Sequence, residues 1–219
     1  MKVIRVKICC ISSVEEACLA ISFGASAIGL VSEMPSGPGV ITEENIAQIA
    51  AVMPPGVASF LLTSKQTPPE VILQQKYTGV NTIQLVDAFP LDGYRELRAA
   101  LPGIKIVQVI HVRDENSLIE ARSVAQHVDA LLLDSGNPSL SIKELGGTGR
   151  THNWSISRSI CGSVIIPVYL AGGLHSGNVA DAIRDVQPFG VDLCSGVRTN
   201  GKLDEAKLKE FFLQVRSIY

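Results

Sequence analysis

Short runs rich in Val, Ile and Leu alternate with longer stretches in which apolar and polar positions recur at helical spacing, from one end of the 219-residue chain to the other. The short runs show little period-two alternation, the pattern of strands buried on both faces of a parallel sheet. Eight of them fall at 3–9, 27–31, 57–62, 82–85, 105–112, 130–134, 164–170 and 190–194. Between and after them the periodicity predicts helices over 13–23, 42–52, 68–77, 91–100, 115–126, 154–160, 176–185 and 204–217. Several open on capping signals, such as Ser12 and Ser13 before Glu15 and Glu16, Thr42 before Glu43 and Glu44, and Ser176 before Asn178. Strand then helix, repeated eight times, is the pattern of a (β/α)8 TIM barrel in the α/β class.

A doubly wound open sheet is the rival architecture. It normally carries a glycine-rich turn after its first strand, and here Cys9, Cys10, Ile11 and Ser12 stand there. The length suits one barrel of roughly 200 to 250 residues, so one domain over 1–219 is expected. The longest irregular stretch, 134–152, holds Gly136, Pro138, Gly146, Gly147 and Gly149 and is the candidate lid.

A formal net charge of −2 leaves no polycationic surface, so neither nucleic acid nor a membrane is the expected partner; a small ligand is. No apolar run approaches the length of a membrane span, and the opening MKVIRVKICC lacks a signal-peptide cleavage site, which predicts a cytoplasmic protein. Five cysteines, Cys9, Cys10, Cys18, Cys161 and Cys194, are an odd set without zinc or disulfide-framework spacing. Reduced thiols and no metal site are expected.

In a barrel the carboxyl ends of the strands form the mouth, where ligands bind. Lys7 and Cys9 share one face of the first strand, with Cys9 at the mouth and Cys10 turned outward toward a helix. A thiol there can accept a proton if a nearby cation such as Lys7 lowers its pKa. The plain alternative is that Cys9 is a small buried apolar residue. Asp134 ends a very apolar strand after Leu131, Leu132 and Leu133, where desolvation raises a carboxyl pKa and makes a general acid; equally, an Asp there can cap a turn. Gly172 and Gly173 after the seventh strand, with Ser195 and Gly196 after the eighth, suit a phosphate held by backbone amides. A Gly-Gly pair alone is as much a tight turn; two such loops at the last two strands are more specific.

These residues carry a family resemblance. Val6-Lys7-Ile8-Cys9, Asp134, the Gly146-Gly147-Thr148-Gly149 loop with Trp154 after it, Leu170-Ala171-Gly172-Gly173-Leu174, and Asp192, Ser195, Gly196 and Val197 resemble, in order, the phosphoribosylanthranilate isomerases. The resemblance covers essentially the whole chain. It implies a cofactor-independent Amadori rearrangement of N-(5-phosphoribosyl)anthranilate in tryptophan biosynthesis, with a small phosphorylated sugar-amine as substrate and a monomer or homodimer as the assembly. By similarity, Asp134 is the general acid and Cys9 the general base. Lys7, Gly147, Gly149, Gly172, Gly173, Asp192, Ser195, Gly196 and Arg198 are expected among the substrate- and phosphate-binding groups.

The chain also departs from the family pattern. Cys10 follows the catalytic cysteine where the family has glycine. The second loop, Pro35-Ser36-Gly37-Pro38-Gly39, lacks the arginine the family offers to the anthranilate carboxylate. The fourth strand runs Gln84-Leu85-Val86-Asp87, with an acid added and an imidazole missing, and His152 and Asn153 replace an aromatic and an acid before Trp154. Arg198, His111 and Arg113 are the candidate replacement anion contacts. Two other readings therefore stand beside the first: an isomerase of a related aminoaldose phosphate with another aglycone, and a noncatalytic sugar-phosphate-binding barrel.

Overall fold

The computed structural model describes residues 3–218. Eight parallel strands, β1 (Arg5–Ile8), β2 (Ala27–Val31), β3 (Ala58–Thr63), β4 (Thr82–Leu85), β5 (Lys105–His111), β6 (Ala130–Asp134), β7 (Val168–Leu170) and β8 (Gly190–Leu193), pair in chain order, and β8 pairs back onto β1. The barrel is closed, as the eight-fold alternation predicts. Helices α1 (Val14–Phe23), α2 (Glu43–Ala51), α3 (Pro68–Thr78), α4 (Leu91–Ala100), α5 (Asn116–Val124), α6 (Trp154–Ser163) and α7 (Val179–Val186) each cross over to the next strand. After β8 come a one-turn 3-10 helix (Ser195–Val197), a small antiparallel hairpin, β9 (Arg198–Thr199) with β10 (Lys202–Leu203), and α8 (Glu205–Arg216).

Capping explains several boundaries. Ser13 accepts the Glu16 amide, while the Glu16 carboxylate accepts the Ser12 amide at 3.0 Å, a reciprocal box at the head of α1. α7 begins at Val179 rather than near Ser176, because Asn178 accepts the His175 amide and donates to the Gly173 carbonyl. β7 is shorter than its apolar run: Pro167 offers no amide to the ladder and Ile165 is fully exposed.

The apolar residues divide into two regions. Ile8, Leu30, Leu61, Ile83, Leu133 and Phe211 pack between strands and helices. Inside the barrel lie Val31, Phe60, Leu62, Val107, Val109, Leu132 and Tyr169. Tyr169 meets Phe60 and Phe189 edge-on at 6.0 and 5.4 Å and fills the lower half of the interior. What remains open is the carboxyl-terminal mouth. Among the described residues no helix is long and apolar enough to cross a membrane.

Candidate active site at the barrel mouth

Cys9, Gln84, Asp134 and Asp192 enter one cavity from β1, β4, β6 and β8, roofed by residues of the loops after β2 and β6. Beneath Cys9 on the same face of β1, Lys7 is fully buried and its Nζ lies 2.9 Å from Asp192 Oδ1. Burial opposes the Lys7 charge, but Asp192 and the Cys9 sulfur outweigh it and the pKa is raised, so the ammonium stays charged. Its underside rests over the Phe60 ring, 5.3 Å from the centroid. Gly29 makes this packing possible. A Cβ there would stand 2.8 Å from Cys9 Sγ and 2.9 Å from Lys7 Nζ.

Two expectations for Lys7 change here. It has no surface toward the cavity, so it is not a phosphate contact; its charge and that of Asp192 are engaged with each other below the mouth. Nor does it bring the Cys9 thiol down to neutrality. Burial is the larger effect and pushes the thiol up to about 11, with Lys7 offsetting only part of it.

Asp134, at the end of β6, is buried and accepts the Ser135 amide at 2.7 Å. Burial raises its pKa, the Ser135 bond opposes this, and His111, Asp192 and Lys7 add smaller contributions of mixed sign. The desolvation argued from the apolar strand holds. His111 pairs with Asp134 in the β5–β6 register, its Nε2 is 2.9 Å from the Val86 carbonyl, and Gly136 covers its Nδ1 side.

The 135–152 segment lies across the mouth. Ser135 and Thr148 hydroxyls meet at 2.7 Å, and Asn137 and Glu144 form an antiparallel bridge within the loop. Its glycines sit where nothing larger fits. Gly146, with φ 138°, passes so close to Asp134 that a Cβ would be 2.8 Å from Oδ2, and a Cβ on Gly147 would be 2.4 Å from Pro38 Cδ. Ser36 of the second loop donates to the Lys143 carbonyl at 2.5 Å, and Lys143 Nζ pairs with Asp87. His152 bonds to Ser157 at 2.7 Å, and burial takes its pKa down to about 4, so the ring is neutral.

On the other side, Gly172, Gly173 and Ser195 line the cavity, with Gly149 of the lid facing Ser195. Gly172 and Gly173 have φ of 84° and 62°, and among the described residues their amides take no part in the loop hydrogen bonding. Gly196 is held against the Leu174 carbonyl, where a Cβ would stand only 2.1 Å away. The loops after β7 and β8 are thus fitted to each other at a glycine, with the first turn of the 3-10 helix opening beside them.

Four further expectations are corrected, three of them at this seam. Cys10 does not face outward toward a helix: with φ 61° it turns to the mouth and forms a disulfide with Cys194, so the expectation of reduced thiols fails for this pair, while Cys9, Cys18 and Cys161 stay outside any disulfide. Nothing in the local sequence shows the pair, because 184 residues separate the two and only closure of β1 onto β8 brings them together. Arg198 is no anion contact in the mouth. Its Nη1 and Nη2 each lie 2.9 Å from a Glu16 oxygen, and it also donates to Cys10 and Gly201 carbonyls. Arg113 is likewise turned to Ser139.

Gly29 is the functional position that sequence reasoning missed; a glycine inside an apolar strand was the available signal. Gln84 entered only through the fourth-strand pattern, and in the structure its Oε1 is buried without a partner at the cavity wall.

A thiol, two carboxyls and glycine-loop amides gathered on the carboxyl-terminal face define a (β/α)8 barrel of the enzyme type, because that is the face on which such barrels build their active sites. Comparison with known proteins gives the particular family. A profile for N-(5'phosphoribosyl)anthranilate (PRA) isomerase matches residues 6–214, and the chain belongs to that family. It is 37% identical over 213 residues to the N-(5'-phosphoribosyl)anthranilate isomerase of Methanocella arvoryzae, covering 97% of this chain and 98% of that one. Among solved structures, the phosphoribosyl anthranilate isomerase of Thermotoga maritima superimposes with a TM-score of 0.83 at 29% identity over 98% of this chain and 99% of that one. Another, in complex with reduced 1-(o-carboxyphenylamino)-1-deoxyribulose 5-phosphate, gives 0.81 at 27% identity with the same coverage of both chains.

Proposed function

We propose that this protein isomerises N-(5-phosphoribosyl)anthranilate to 1-(2-carboxyphenylamino)-1-deoxyribulose 5-phosphate, a step of tryptophan biosynthesis. The observation that carries the reading is the entry of Cys9 and Asp134 into one cavity beside the glycine loops that follow β7 and β8. Asp134, whose burial favours the protonated form, donates its proton to the ribose ring oxygen, and the nitrogen lone pair expels that oxygen to give an iminium at C1. Cys9 then removes the C2 proton. A thiol near 11 is a weak acid in the empty site, so Cys9 first releases its own proton to solvent; the adjacent iminium stabilises the resulting thiolate and acidifies the C2–H whose proton it takes. The C2–H electron pair becomes the enolamine double bond and neutralises the iminium. Protonation at C1 and loss of the C2 hydroxyl proton give the ketone.

In this reading the phosphate lies against Gly172, Gly173, Ser195 and Gly196, whose positive-φ or small residues let amides approach, and Gly147 and Gly149 close over the sugar. Asp192 serves by holding Lys7, and so the charge under Cys9. The test is loss of phosphoribosylanthranilate fluorescence with purified protein. Wild type turns over, and Cys9→Ala and Asp134→Asn each lose on the order of 10²–10⁴-fold in kcat. Full activity in either folded variant would overturn these roles.

A further inference from the structure

The proposed substrate carries two anions, a phosphate and an aryl carboxylate, and among the described residues no lysine, arginine or histidine lines the cavity. The phosphate has backbone amides beside it. The carboxylate has no cation, and the second loop, which roofs that side through Ser36, Gly37 and Pro38, supplies none.

The cations around the mouth can be taken in turn. Arg198 is 9% exposed and held by both Glu16 oxygens. Arg150 pairs with Glu144 and Arg113 with Ser139. His152 is neutral through burial, and His111 is engaged with Val86 and covered by Gly136. Lys143 is different. Its backbone is pinned to the second loop by Ser36, Leu145 two residues further on lines the cavity, and its side chain is 38% exposed while pairing with Asp87.

We infer that Lys143 of the lid is the specificity-determining cation for the aryl carboxylate, positioned by Asp87 and Ser36; this rests on the proposed isomerisation. An ammonium has three donors and no fixed fork, so Nζ can keep Asp87 and accept a second carboxylate. The pairing also cancels the Asp87 charge, which otherwise stands at the mouth and repels an anionic aglycone. The cation that the second loop lacks is delivered by the loop folded onto it.

The test is calorimetric binding of reduced 1-(o-carboxyphenylamino)-1-deoxyribulose 5-phosphate and of the same compound without its ring carboxylate, to wild type, Lys143→Met and Lys143→Arg. A charge-assisted hydrogen bond of about 1.5–3 kcal/mol corresponds to roughly 10- to 150-fold. Lys143→Met is expected to weaken the carboxylated ligand by that factor and to leave the other within about twofold, with Lys143→Arg restoring most of the difference. Equal weakening of both ligands would mean that Lys143 only seats the lid, and no weakening would mean that the carboxylate is held elsewhere; either overturns the inference while leaving the isomerase reading intact. Failure of wild type to bind either ligand would instead remove that reading, and this inference with it.

Discussion

Cys9 and Lys7 show how far a single residue's chemistry depends on its depth. Their spacing on one strand face suggested a cation lowering a thiol, yet both lie in a site so dry that burial outweighs the neighbouring charge. Thiolate is about one part in ten thousand at pH 7 for a thiol near 11, so alkylation of Cys9 by iodoacetamide in the empty protein should quicken roughly tenfold per pH unit up to about pH 10. A plateau near pH 8, followed by peptide mass spectrometry, would show that the thiol is not held up by burial. Lys7→Met leaves Asp192 unpaired beneath the mouth, where burial already pushes its pKa up and the carboxyl must stay charged alone or take a proton, at a cost of about 3–5 kcal/mol. Urea unfolding of Lys7→Met and of Lys7→Met/Asp192→Leu should show most of that loss recovered in the double variant.

Among the elements, the loops after β7 and β8 depend on a glycine contact. A methyl at Gly196 meets the Leu174 carbonyl, so Gly196→Ala must push the two loops apart. The expected result is a destabilisation of about 1–3 kcal/mol with KM for the phosphorylated substrate rising more than tenfold. An unchanged KM would separate these loops from phosphate binding. At the head of α6, His152 is kept neutral with a pKa near 4, whereas an unfolded histidine takes up its proton near pH 6.5. The unfolded chain therefore binds more protons between those values, and stability falls as the pH is lowered from 6.5 toward 4. The contribution is on the order of 2–3 kcal/mol, and His152→Gln should flatten this part of the stability profile in thermal unfolding across pH.

At the scale of the molecule, closure of β8 onto β1 joins the two ends of the chain, and the Cys10–Cys194 disulfide crosses that seam. Thiol titration of the denatured, unreduced protein should give three thiols per chain, rising to all five cysteines after reduction. Because the crosslink spans 184 residues, the loop-entropy ceiling on its stabilisation is about 5 kcal/mol, read as a shift in the urea midpoint with and without reductant. Five titratable thiols without reductant would disprove the crosslink.

Local pattern was enough for the barrel. Each apolar run is long enough to be one strand buried on both faces, each amphipathic stretch can cover it only by crossing over, and eight such units close. Chain position alone also put Asp134 and the late glycines at strand carboxyl ends, hence at the mouth. Partnerships between residues far apart in the chain were not legible: Lys7 with Asp192, Arg198 with Glu16, Cys10 with Cys194, Lys143 with Asp87. A residue's periodicity states which side of an element it faces. Which group from another strand or loop stands opposite, and how much water is left between them, follows from strand register and loop closure, and these exist only once the barrel is formed.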